Sequence, residues 1–92
     1  MTWSIEFDWD DANLEHIAEH SVTREEAEFA LNGPTLDVKF QDWNGEERFV
    51  EVGVTANGRF LTIVTTWRGP LLRVVTAFSA EKELIEEYLR TR

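Results

Sequence analysis

The sequence predicts an α+β fold, a small antiparallel sheet with helices packed on it, in the order β-α-α-β-β-β-β-α. Three observations predict it. Two early segments place capping residues directly ahead of apolar positions at helical spacing. A long middle stretch is a series of β-branched and aromatic runs separated by Gly, Pro and Asn turns. The chain then closes on an amphipathic segment.

Taken in order, Ser4-Ile5-Glu6-Phe7-Asp8-Trp9 alternates polar and apolar residues and reads as a short strand. Asp10 caps a helix running to about His20, with Leu14, Ile17 and Ala18 on one face. Thr23-Arg24-Glu25-Glu26 is a capping box, opening a helix whose Ala27, Ala30 and Leu31 face inward and whose stop is Asn32-Gly33-Pro34. Leu36, Val38 and Phe40 then alternate with Asp37 and Lys39, and Trp43 falls in a loop. Arg48 to Val54 is the next strand, with Val50, Val52 and Val54 buried and Arg48 at the rim. Ala56-Asn57-Gly58-Arg59 carries the hairpin signal Asn-Gly. Phe60 to Trp67 and Leu71 to Phe78 pair across Arg68-Gly69-Pro70. Ser79 caps the last helix, striped by Leu84, Ile85, Tyr88 and Leu89.

Ninety-two residues make a single domain, 1–92, with one core and one small site. There is no cysteine, hence no disulfide, no thiolate nucleophile and no cysteine-ligated zinc. No apolar run approaches the roughly 20 residues that span a bilayer, and Met1 to Glu6 lacks the features of a signal peptide. The expectation is a cytoplasmic domain that makes no membrane contact and uses no cofactor. The net charge of -9 is unevenly spread. Residues 1–47 hold two bases and thirteen acids, a net of -11, and residues 48–92 hold seven bases and five acids, a net of +2. Every base between 48 and 78 is an arginine, the side chain suited to bidentate phosphate contacts.

The chain resembles the BrnT family of bacterial type II toxins, whose fold is similar to the RelE ribonuclease toxins. Phe7-Asp8-Trp9-Asp10 is similar to the family's opening F-x-W-D, and Glu19-His20-Ser21-Val22 with Glu25-Glu26-Ala27 to its K-H-G-V and E-E-A. Glu46-Glu47-Arg48-Phe49 resembles E-x-R-[YF], and Gly53 the glycine closing that strand. Gly58-Arg59 through Thr66-Trp67-Arg68-Gly69 is similar to the G-R-x-L…T-E-R-G hairpin. Arg73 to Phe78 stands at R-I-I-S-A-R, and Tyr88 at the closing helix's tyrosine. The resemblance implies a metal-independent endoribonuclease held inactive by a cognate antitoxin, a small DNA-binding protein. Its chemistry is attack of a ribose 2′-hydroxyl on the adjacent phosphorus, on free or ribosome-bound RNA. Three departures stand out. The family's lysine before the histidine is Glu19, the arginine ending S-A-R is Phe78, and the basic closing helix carries Glu81, Glu83, Glu86 and Glu87.

The candidate site residues each have two readings. Arg48 and Arg73, with Arg68, are phosphate contacts or partners of the N-terminal acids. Arg59 is an RNA contact or a solubilising residue beside its turn. His20 is a general acid or base, or a histidine at a helix C-terminus. Tyr88 is a packing ring with a secondary role in orienting phosphate. Trp43 is an aromatic anchor for a partner, whereas Trp9 and Trp67 serve the core or its edge. His16-Ile17-Ala18-Glu19-His20 spells H-x-x-E-H, an accidental match without a third ligand. The leading expectation is an RNA-cleaving toxin with Arg48, Arg73 and His20 catalytic, its catalysis weakened by the departures at Glu19 and Phe78. The alternative is a non-catalytic module on the same fold that binds a basic antitoxin-like partner through its acidic face and Trp43. A metal-dependent hydrolase at His16 and His20 is remote.

Overall fold

Residues 4–91, which the computed structural model describes, run through α1 (Asp11–Ala18), α2 (Arg24–Asn32), β1 (Leu36–Trp43), β2 (Glu46–Val54), β3 (Phe60–Arg68), β4 (Leu71–Ser79) and α3 (Lys82–Arg90). The strands form one sheet in chain order, each antiparallel to the next. The predicted α+β class and element order hold. The first strand is a single parallel bridge between Phe7 and Leu72, in which the Asp8 N–H donates to the Leu72 carbonyl at 3.0 Å. That bridge covers part of the outer edge of β4. On the far side of the sheet β1 has no strand beyond it among the described residues.

Side-chain alternation along the strands separates two layers. On one face Leu61, Ile63, Leu72, Val74 and Ala77 pack with Ile17 of α1, Val22, and Ala27, Ala30 and Leu31 of α2, while Phe7 and Trp9 lean against the cluster. On the other face lie Val50, Val52 and Thr62, partly covered by α3 through Tyr88, whose ring meets Phe60 edge-on. The helices start where their caps predict. The Asp10 carboxylate accepts from the Asn13 N–H, and Thr23 and Glu26 form the reciprocal capping box.

Three local expectations are corrected. Trp43 is the last residue of β1 rather than part of a loop, because the turn is only Asn44-Gly45, with φ of 51° and 82°. Two such residues make the tight turn that matches strand twist, so Trp43 pairs directly with Glu46. Ser79 does not cap α3. It ends β4 opposite Leu61, its hydroxyl accepts from Arg59 Nη2 at 2.9 Å, and Glu81 holds the N-cap position without a side-chain bond. Leu89 is exposed, since the helix meets the sheet through the face bearing Tyr88.

Ala30 lies directly over Gly53. A Cβ at Gly53 would stand 2.9 Å from the Ala30 carbonyl oxygen and 3.1 Å from its Cβ. Substitution Gly53→Ala must push α2 away from β2 and should destabilise by about 1–3 kcal/mol. Urea midpoints of the two proteins measure this, and equal midpoints would show that α2 yields without cost.

Candidate functional site

Both short hairpins, Trp43–Glu46 and Arg68–Leu71, lie at the same end of the sheet, because β1 and β3 run in the same direction. Two exposed tryptophans, Trp43 and Trp67, and two of the candidate arginines, Arg48 and Arg68, therefore share one rim. Arg48 is opposite Gln41 and lies on the same face as Trp43 and Glu46 by strand alternation. Its guanidinium carbon sits 5.8 Å from the centre of the Trp43 ring, a cation–π contact, and its Nε donates to Glu46 Oε2 at 2.8 Å. About a quarter of the Arg48 side chain (27%) remains accessible. Trp43 is 61% exposed. Arg68 makes no ion pair among the described residues.

Arg73 occupies the matching place on β4. It pairs with Thr66 of β3, and the Thr66 hydroxyl donates to the Glu47 carbonyl next to Arg48. Arg48 and Arg73 thus flank one central residue on the same end of the sheet. Their surroundings differ. Arg73 Nη2 donates to Asp10 Oδ2 at 2.8 Å and Nη1 lies 3.6 Å from Asp8 Oδ2, with 14% of the side chain exposed. The Asp10 carboxyl is held below the ordinary carboxylate range, first by the capping N–H of Asn13 and then by Arg73.

The remaining candidates lie elsewhere. His20 follows α1 at the opposite end of the sheet, its ring 5.9 Å from that of Phe78. Phe78 pairs with Thr62 and Arg73 with Thr66, so four residues of β3, roughly 13 Å, separate the two rows. Arg59 is turned inward, donating from Nη2 to the His20 carbonyl at 3.0 Å and from Nη1 to the Ser21 carbonyl. Tyr88 is buried and its hydroxyl donates to the Pro34 carbonyl at 3.1 Å. His16 and His20 rings meet edge-on at 5.9 Å, and no group of three metal-ligating side chains occurs among the described residues.

Acids also crowd this end. A hollow of about 490 Å³ beside Trp67 is lined by Asp42, Glu46 and Glu47, which repel a phosphate. On the Trp43 side of the rim the Arg48 guanidinium lies between the Trp43 ring and the Glu46 carboxylate. The signal that would have joined Trp43 and Arg48 is Asn44-Gly45, a second Asn-Gly pair directly between their strands.

The family model for the ribonuclease toxin BrnT of type II toxin-antitoxin systems matches residues 9–83. The chain belongs to this family. The matched stretch contains both helices of the core layer, the whole sheet and the Arg48, Arg68 and Arg73 positions. No curated protein matches the chain significantly. No helix of the BrnT-family domain is long and apolar enough to cross a membrane among its described residues.

The Asp10 contacts set an acid limit on the fold. A carboxyl whose pKa is lowered by folding contributes stability above its unfolded value near 3.9, and that contribution is lost as pH falls through the folded value. Asp10→Asn keeps a capping oxygen but loses the titration. Its urea midpoint should fall less between pH 5 and 2.5 than the unsubstituted protein's, and parallel profiles would show that Asp10 is not coupled to folding.

Proposed function

We propose that the protein is the toxin of a type II toxin-antitoxin pair, a cytoplasmic endoribonuclease that cleaves RNA without a metal. The observation that carries the proposal is Arg48, placed on an open rim under Trp43 in a chain of the ribonuclease-toxin family. A single-stranded nucleotide stacks on the Trp43 ring and sets its phosphate against the Arg48 guanidinium. The 2′-hydroxyl loses its proton to a base and attacks phosphorus. The phosphorane's extra negative charge is met by Arg48, and the bond to the 5′-oxygen breaks as that oxygen takes a proton. The products are a 2′,3′-cyclic phosphate and a 5′-hydroxyl, so no water or metal enters this step.

Arg73 adds positive potential from the far side of Thr66, and Arg68 meets the strand beyond the cut. Tyr88 and Arg59 contribute by holding the framework. His20, whose ring lies against Phe78 at the other end of the sheet from the arginine row, contacts RNA past that end. The cognate antitoxin, a small DNA-binding protein, silences the enzyme by covering Trp43 and the rim.

The second reading, a non-catalytic module that binds a basic partner, is favoured by one observation. Arg48 and Arg73 each already hold a carboxylate, Glu46 and Asp10, at 2.8 Å. One experiment separates the two readings. Labelled RNA, free and on ribosomes, is incubated with the protein in excess chelator. The toxin reading expects cleavage, with Arg48→Ala slower by about 10²–10³ and equally stable to urea. Absence of cleavage on both substrates would leave only the module.

A further inference from the structure

Two residues along β2 from Arg48, and on the same face of the sheet, Val50 opens into a hollow of about 320 Å³ under the first turn of α3. Val50, Val64, Phe78 and Leu84 wall it, and Gln41 and Glu81 stand at its rim. Thr62 belongs to the same lining. It is only 4% exposed, and its hydroxyl has no hydrogen-bond partner among the described residues. A buried hydroxyl normally finds a partner, because leaving it unpaired forfeits its hydration without return. A valine would fill the same space without that loss. The turn above is also open, since Glu81 caps α3 with no side-chain bond of its own.

We propose that this hollow reads one base of the RNA, taking a nucleobase that carries an exocyclic amino group. The inference rests on the ribonuclease reading and adds a specificity subsite to it. Its volume is at the small end of ligand sites, enough for one flat ring system. Phe78 and the valines supply an apolar wall for the ring faces. An aliphatic guest would leave Thr62 as unpaired as before, whereas a base edge brings both donors and acceptors. The Glu81 carboxylate accepts an amino N–H, as acidic side chains do from cytosine, and the Thr62 hydroxyl can donate or accept. For a base edge to reach that hydroxyl, the half-buried Leu84 side chain that walls the hollow has to yield. Val50 lies two positions along the strand from Arg48, roughly 7 Å, comparable with the reach from a base to its own phosphate. The phosphate at Arg48 joins two nucleosides, so while one base stacks on Trp43 the neighbouring one lies over the hollow.

The test uses the full chain and uncleavable 2′-O-methyl hexanucleotides of adenine, cytosine or uracil. Binding is read from the affinity and from methyl resonances of Val50, Val64 and Leu84. The adenine or cytosine hexamer should bind about 10-fold more tightly than the uracil one and shift these methyls, one hydrogen bond to a buried group being worth about that factor. Thr62→Val should lose most of that preference while its melting temperature stays level or rises, a pairing that a purely structural threonine would not produce. Glu81→Gln should reduce the same preference, and Arg48→Ala should weaken all three hexamers alike. A folded Thr62→Val protein with undiminished preference overturns the subsite, as does a shift of these methyls by N-acetyl-tyrosinamide and by no hexamer. RNA cleavage whose cut-site preference is unchanged in Thr62→Val overturns the subsite and leaves the ribonuclease standing. Base preference without cleavage of any RNA does the reverse.

Discussion

The fold depends on a single guanidinium. Arg59 leaves the β2–β3 loop and bonds the carbonyls of His20 and Ser21, which follow α1, and the hydroxyl of Ser79, which ends β4. Carbonyls at a helix end have no partners within the helix, and the chain turns sharply there, with Ser21 at a φ of 58°. A charged donor with several N–H groups in one plane satisfies that corner and ties it to two strands. Glu26, 3.8 Å away in the first turn of α2, balances the charge. The α1–α2 corner, the hairpin loop and the end of β4 are thereby set relative to one another.

The same physics governs the other arginines. The N-terminal third is strongly acidic, and the fold folds part of that charge back over the basic strands. Asp8 and Asp10 reach Arg73 and Glu26 reaches Arg59. At the rim on the other side Arg48 shares itself between Glu46 and the face of Trp43. An acidic protein can present a local cationic surface in this way.

Most of the architecture was legible in the residues. Asp10, Thr23 and the Asn32-Gly33-Pro34 stop mark helix ends by local hydrogen bonding and backbone restriction, which need no tertiary information. The alternation in Phe60 to Trp67 and Leu71 to Phe78 likewise marks strands by burial alone. Ser79 and Trp43 were misplaced because a capping serine and a loop tryptophan are decided by register, which a neighbouring strand imposes. The site was less legible. Nothing local distinguishes Arg73, held by two carboxylates, from Arg48, which keeps an open face. Thr62 could not have been singled out either, since an unpaired hydroxyl is a property of the packed protein.

The two borders of the sheet are not equivalent. Phe7 and its neighbours seal part of one, while β1 leaves the other with an outward row of peptide groups, among the described residues. If two copies ever joined through β1, each would present its sealed border outward. Such a union would use the open border of both copies and leave outward only the borders that Phe7 partly covers. The short N-terminal stitch thus makes the two borders chemically different, one partly capped and one open.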